Sequence, residues 1–270
     1  QGNTISSCLY GIAVFGPPEF ESGTLITQNT IGTPANTIGF SGITVTNETY
    51  TAIVDNTVQH VLTNSTMAGA GGIALLGTTN NVTIANNTIK NISSGAESSG
   101  TSSISGIYIS EYSAFANVNA NFVTGIANTN PGGFGVRGLN VLGSFSVISN
   151  NSVSDISCFQ DTDNAYWPAG IAISGTATAS DIYYNSVYLS GTHPGFTATA
   201  GASAALLINS TGGSHDIRNN VFSNAYDNSS SAGDKSYAVY STATSGSGFL
   251  NINFNDYFVS GPAAVLGSLN

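Results

Sequence analysis

Positive charge is scarce in this 270-residue sequence, which has 4 Lys and Arg residues against 14 Asp and Glu. The net charge is −10 and the pI is about 4.2. Nucleic acids, acidic polysaccharides and anionic membrane surfaces are bound by clustered cations, whereas the cations here are scattered: Lys90, Arg137, Arg218 and Lys235. The composition therefore argues against nucleic acid, an acidic glycan or a membrane surface as the partner.

Long apolar runs and helix-forming stretches are also missing. No segment approaches the roughly 18 apolar residues of a membrane-spanning helix, and no helical stretch has a charged outer face. The chain begins at Gln1 without a signal peptide, as expected of a mature secreted protein or of a fragment of a longer one. Since 41% of the residues are hydrophobic and 10% aromatic, the chain can bury a sizeable core. We therefore expect an ordered, extracellular β protein.

One pattern, Ile or Val followed by x-x-Asn-x-apolar, recurs along the whole chain at intervals of 27 to 35 residues. A second motif of the type Gly-Ile-x-apolar leads each repeat, and the repeats begin near residues 11, 42, 72, 106, 135, 170, 205 and 238. Self-similarity at such a period indicates a solenoid, in which each repeat forms one rung. The pattern asparagines are Asn29, Asn56, Asn87, Asn121, Asn151, Asn185, Asn220 and Asn255, and Asn3 has the ending of a ninth copy.

The alternation within the Gly-Ile motif predicts which side chains point inward. One inward column is predicted to contain Ile12, Ile43, Ile73, Ile107, Val136, Ile171, Leu206 and Val239. Its neighbour contains Val14, Val45, Leu75, Ile109, Ile173 and Ile208. Asparagine tolerates left-handed backbone angles. One Asn per rung is therefore expected to bend the chain between two strands, with the stacked amides hydrogen-bonded to one another.

These repeats resemble the right-handed parallel β-helix of the pectin-lyase-like superfamily, with its inward asparagine ladder. The resemblance covers residues 3–267 and implies a single all-β domain, 1–270, of about eight rungs. The phrases Asn86-Asn87-Thr88-Ile89 and Gly106-Ile107-Tyr108-Ile109 also resemble the β-helix repeats of large secreted bacterial surface proteins. That likeness implies a location outside the cell or on its surface.

Two cysteines, Cys8 and Cys158, lie five rungs apart in this scheme. Rungs about 4.8 Å apart separate them by roughly 24 Å along the axis. A disulfide requires Cα atoms within about 7 Å, so an intramolecular bridge is excluded. Burial as small apolar residues is the main interpretation, and an intermolecular bridge is the other.

The densest acidic segment is Asp161-Thr-Asp163, which is followed by Tyr166 and Trp167. It predicts either a calcium- or sugar-binding loop with aromatic stacking, or a surface loop whose Trp covers the flank of the solenoid. The Asp-x-Asp pattern lacks the remaining ligands of a calcium-binding EF-hand. The loop is therefore a weak candidate carbohydrate site, and we expect no cofactor and no metal.

Other candidate groups are dispersed. Asp181 and Asp216 each precede a repeat Ile and would stack on adjacent rungs, where Arg218 favours a surface ion pair over a catalytic pair of carboxylates. Glu19 and Glu21 form a weak cluster far from Asp161. The three histidines occupy different rungs without metal-ligand spacing, and we expect them at the surface: His60, His193 and His215.

Neither end of the repeat array has an amphipathic helix or a charged cap. If about five inward apolar side chains per end remain wet, the lost burial is on the order of 10 kcal/mol. Head-to-tail stacking of copies would recover it and build a filament. We therefore expect a non-catalytic extracellular structural protein: a subunit or segment of a filament, stalk or surface layer. The alternative is a protein that binds or degrades carbohydrate, or a glycan-binding adhesin.

Overall fold

The computed structural model describes residues 1–17, 21–96, 104–132, 135–159, 167–192, 202–227, 235–243, 246–261 and 263–269. These form a parallel β-solenoid of about seven turns, with a short 3-10 helix at Gly246–Gly248. Its eight repeat asparagines bound seven intervals, which correspond to the seven turns. The predicted all-β parallel solenoid is confirmed. Each rung from that of Asn29 onward adds one strand to each of three parallel sheets, whereas the Asn3 rung adds no strand to sheet I. Sheet I precedes the repeat Asn, sheet II follows it, and sheet III carries the Gly-Ile motif.

The strands of the three sheets follow one another along the axis. Sheet I contains Leu25–Thr27, Ala52–Val54, Thr83–Ala85, Asn117–Asn119, Val147–Ser149, Asp181–Tyr183, His215–Arg218 and Phe249–Asn253. Sheet II contains Thr4–Ile5, Thr30–Ile31, Thr57–Thr63, Thr88–Ser94, Phe122–Asn128, Ser152–Cys158, Ser186–Thr192, Val221–Asp227 and Asp256–Val259. Sheet III contains Cys8–Phe15, Ile38–Thr46, Gly71–Leu76, Ile104–Ile109, Val136–Val141, Ala169–Ile173, Ala202–Ile208, Lys235–Ser241 and Ala264–Leu269. Sheets II and III are joined by the pairing of Ile38 with Val61, and Glu21–Ser22 pairs with Glu48–Thr49.

The repeat Asn was expected to bend the chain with left-handed backbone angles at the corner between sheets I and II, and this expectation was wrong. The left-handed residue is not that Asn but the one before it, with φ between 54° and 60° in all eight copies. These residues are Gln28, Asp55, Asn86, Ala120, Asn150, Tyr184, Asn219 and Phe254. The left-handed residue makes the bend and points outward, which leaves the Asn side chain directed into the solenoid.

The inward columns follow the predicted register with one exception. Ile107 pairs with Leu139, and Leu139 pairs with Ile171, whereas Val136 pairs with Ile104. The prediction of Val136 as a column member was therefore wrong, and the fifth repeat begins at Gly138 rather than at Gly135. Gly135 has a left-handed φ of 74° and lies just before the strand.

The apolar columns fill one continuous core along the axis. Both cysteines are free, Cys158 buried in sheet II and Cys8 half-buried in the first strand of sheet III. This agrees with the separation that their rungs predict.

Candidate functional site

The asparagine ladder is the most regular polar feature of the solenoid. The Oδ1 of each of the eight repeat asparagines, Asn29 to Asn255, accepts two hydrogen bonds from the Asn one rung earlier. The Nδ2 donor lies at 2.9–3.0 Å, and the backbone N–H donor at 2.9–3.2 Å. Asn3 donates to Asn29 in the same way, which confirms it as the ninth member.

Each ladder amide from Asn56 onward also donates to the carbonyl of the sheet I Ile or Val one rung earlier, at 2.8–2.9 Å. From Asn29 to Asn220 these side chains are buried. Since their hydrogen-bonding groups are used within the ladder, the amides have no group left for a ligand. The ladder asparagines are therefore structural.

The predicted carbohydrate loop is only partly within the described residues. Asp161, Asp163 and Tyr166 lie outside them, so a sugar or calcium contact by these residues stays a prediction. Trp167 is described and is 8% exposed.

Trp167 packs on the outer face of sheet III. Its ring stacks on Tyr237, with centroids 5.7 Å apart, and meets Tyr240 edge-on at 4.7 Å. Ala172 and Leu207 belong to the same buried cluster. The ring thus covers the flank of the solenoid, the second of the two interpretations, and offers no open face on which a sugar could stack.

Asp181 and Asp216 pair across adjacent strands of sheet I, as predicted. Arg218 donates to Asp216 Oδ2 at 2.6 Å, and the Tyr183 hydroxyl donates to the same oxygen at 2.8 Å. The Arg218 guanidinium lies 5.2 Å from the centre of the Tyr183 ring, and burial is the main cause that raises the pKa of Tyr183 to about 12. The Asp216 side chain is only 7% exposed. It is thus committed to an ion pair and is inaccessible as a catalytic carboxylate.

Ser210 and His215 form a buried pair that the sequence did not predict. His215 is fully buried, not at the surface as expected, and its Nε2 lies 3.0 Å from Ser210 Oγ. The backbone N–H of Ser180 donates to Nδ1 at 3.3 Å, so Nδ1 is the acceptor and the ring proton is on Nε2. His215 therefore donates to Ser210 and cannot take its proton, as a nucleophilic dyad requires. Burial lowers the pKa of His215 to about 4.

The remaining titratable candidates do not come together. His60 is half-buried on another rung, and His193 and Glu19 lie outside the described residues. Glu21 pairs in backbone register with Glu48, a buried residue that accepts a hydrogen bond from Thr24 Oγ1 at 3.1 Å. In the described part of the chain, no three His, Cys, Asp or Glu residues are placed to hold a metal ion. Nor do these residues include a helix long and apolar enough to cross a membrane.

The core opens at the C-terminal end of the described solenoid. An apolar cavity of about 550 Å³ lies there between Val239, Phe249, Ile252 and Tyr257, with Gly267 in its wall. Gly267 continues the column of Val239 without a side chain, which explains the space. In the sequence, this space is indicated only by a Gly at a position of an apolar column. That position can be assigned only when the strand register is known.

Half-buried core residues mark both terminal rungs. Ile252 is 40% exposed, whereas its neighbour in the same column, Ile217, is fully buried. At the other end, Ile5, Ile12 and Val14 pack on the core but are only partly buried. Each end of the described part of the solenoid therefore presents an apolar surface bordered by a parallel strand edge.

No protein-family model matches this chain, and no curated protein or solved structure matches it significantly.

Proposed function

We propose that this chain is a non-catalytic structural β-solenoid of the cell exterior, a subunit or segment of a filament, stalk or surface layer. In this proposal it is a right-handed β-helix of the pectin-lyase-like type, from a secreted bacterial surface protein, and its rungs stack head to tail. The observation that carries the proposal is the pair of open terminal rungs.

The open rungs support stacking because both ends need the same kind of cover. An added rung would bury the cavity wall around Tyr257 and Gly267 at one end. At the other end it would bury Ile5 and Ile12. Burial of apolar surface contributes roughly 25 cal/mol per Å², and pairing satisfies the backbone groups of an edge strand.

A structural role is also supported by how the polar side chains are used. The ladder amides, the pair of Ser210 with His215 and the pair of Asp216 with Arg218 all make hydrogen bonds inside the fold. A catalytic site needs such groups in a cleft that a substrate can reach. Here the ladder amides join neighbouring rungs, and the Ser210–His215 contact joins a loop to a strand. The Asp216–Arg218 pair lies within one strand, and Asp216 also accepts a hydrogen bond from Tyr183 on the neighbouring rung.

Light scattering after size-exclusion chromatography, with electron microscopy of the same fractions, tests the proposal. We expect the mass to grow with concentration and the particles to be rods of one solenoid width. Release of products from neutral or acidic polysaccharides is measured in parallel and is expected to be absent. A chain that stays monomeric at its highest soluble concentration contradicts the stacking, and turnover of a polysaccharide contradicts the non-catalytic role.

A further inference from the structure

We infer that the partner of the open C-terminal rung is a second copy of this chain, docked in one register with Asn3 above Asn255. This inference rests on the proposed head-to-tail stacking and adds the identity of the occupant and its alignment. It draws on the polarity of the asparagine ladder, the shape of the core at the two ends and the charge of the two surfaces.

The ladder has a direction, because every Asn donates to the Oδ1 of the next rung and never the reverse. Asn220 donates its N–H and Nδ2 to Asn255 Oδ1 at 3.0 and 2.9 Å. Asn255 Nδ2 turns instead to the Ile217 carbonyl and the Tyr257 hydroxyl. A rung added beyond Asn255 must therefore present an acceptor at the ladder position.

Asn3 provides that acceptor at the opposite end of the same chain. Its N–H and Nδ2 both donate to Asn29 Oδ1, so its own Oδ1 faces away from the described rungs. When a second copy places Asn3 above Asn255, the junction repeats the ladder hydrogen bonds and continues sheets II and III, whereas the Asn3 rung contributes no strand to sheet I. Two N-terminal or two C-terminal ends would instead oppose acceptor to acceptor or donor to donor, so only head-to-tail contact satisfies the ladder.

The same register places an apolar side chain over the open cavity. Successive pairings put Ile12 and Gly267 at the two ends of one inward column, through Val239 in the last but one rung. Ile12 of the second copy would therefore lie above Gly267, where the column has no side chain. The cavity of about 550 Å³ beside Tyr257 is large enough for this Ile to enter.

The charges of the two surfaces are compatible with this contact. Residues 1–17 contain no charged side chain, and residues 246–269 contain only Asp256. Thr4 and Asp256 belong to one outward column of sheet II, so Thr4 of the second copy would lie beside Asp256. No pair of like charged side chains meets at the junction, although the chain as a whole carries a net charge of −10.

Disulfide trapping tests the register. In the 270-residue chain with Cys8→Ser, Thr4→Cys and Asp256→Cys, the Cα atoms of the two introduced cysteines are expected about 5 Å apart across the junction, within the Cα separation of a disulfide. Both substituted residues are exposed, so the fold tolerates the changes. Mild oxidation is expected to give a ladder of covalent dimers, trimers and longer species on a non-reducing gel, which collapses on reduction.

The matched control moves one cysteine by two residues along the same outward face. Phe258→Cys, combined with Thr4→Cys and Cys8→Ser, separates the Cα atoms by about 8 Å, and the covalent ladder is expected to be lost. Equal trapping by both pairs, or none by Thr4 with Asp256 while the unmodified chain still associates in light scattering, overturns the register but leaves head-to-tail stacking in place. Failure of the unmodified chain to associate contradicts the proposed function itself.

A second comparison tests the entry of Ile12 into the cavity. Ile12→Asp is expected to weaken association by at least about tenfold, because the junction would bury an unpaired carboxylate. Leu9→Asp lies on the same strand but is exposed on the outer face, and it should leave association unchanged. Circular dichroism confirms that both variants fold, and equal effects of the two substitutions would overturn this part of the inference.

Discussion

At the scale of single residues, the ladder Asn and the residue before it have different roles in the solenoid. The residue before each ladder Asn takes the left-handed backbone, at a cost of roughly 1–2 kcal/mol when it is neither Gly nor Asn. The ladder Asn keeps ordinary backbone angles and uses its amide to join neighbouring rungs. Tyr184 and Phe254 tolerate the left-handed position because their rings point outward and remain exposed.

Asn121→Ala should therefore be strongly destabilising. It removes the acceptor of two hydrogen bonds from Asn87 and the donor to the Ile84 carbonyl. Since each buried group left unsatisfied costs about 1–3 kcal/mol, we expect the free energy of unfolding in urea to fall by about 3 kcal/mol or more.

The control for this prediction is Asn119→Ala, two residues earlier on the outer face of sheet I. Asn119 is half-buried, and its side chain makes one described hydrogen bond, to Ser149 Oγ. Its loss should cost about 1 kcal/mol or less. Similar losses at the two positions would show that the ladder contributes no more than a surface contact.

The buried His215 makes stability depend on pH. Its folded pKa is about 4, below its ordinary value of about 6.5, so the unfolded chain binds more protons between these values. The free energy of unfolding should therefore fall as the pH drops from about 6.5 to about 4, by at most about 3 kcal/mol, and this contribution levels off below. Urea unfolding across this range should show a smaller decline for His215→Gln.

At the scale of strands, a column of close backbone contacts explains the glycine of the Gly-Ile motif. A Cβ on Gly106 would lie 2.7 Å from the Gly138 carbonyl oxygen and would clash with a γ-methyl of Val123. In each of the first six motifs, a γ-methyl group of a Val or Ile in sheet II faces the glycine in this way. In the next rung the sheet II residue is Phe222, which has no second γ-branch, and the Gly is replaced by Ala205.

Gly106→Ala should consequently reduce the free energy of unfolding by about 2 kcal/mol or more, because the core must make room for the methyl group. Gly246→Ala is the control, since a Cβ there meets no atom within 4 Å, and it should change stability by less than about 0.5 kcal/mol. Thermal or urea unfolding measures both. If the two variants prove equally stable, close packing is not what keeps the position glycine.

Periodicity predicted the columns well because a parallel register repeats the same residue position on every rung. It failed at Val136 because Gly135-Val and Gly138-Leu both fit the motif, and only the strand pairing separates them. The Ser210–His215 contact joins a loop to a strand and leaves no period in the sequence. The left-handed corner was missed because residues as different as Ala120 and Phe254 occupy it.

At the scale of the whole molecule, low charge is a consequence of stacking. Outward positions recur about every 4.8 Å along a solenoid, so repeated like charges would form repelling columns. Small neutral polar residues avoid this, as in the column that runs through Thr30, Thr57 and Thr88. The same composition leaves the proposed junction almost free of charge, although each chain carries −10 overall.

Salt should therefore promote end-to-end association or leave it unchanged. Raising the ionic strength from about 0.01 M to about 0.15 M shortens the Debye length from about 30 Å to about 8 Å, which screens the repulsion between chains but removes no attraction at the junction. Sedimentation velocity at matched protein concentration measures the effect. Thr4→Lys would place a cation beside Asp256 of the next copy, so this variant should associate more tightly at low salt and lose the gain at high salt. Salt-induced dissociation of the unmodified chain would contradict a neutral, apolar junction.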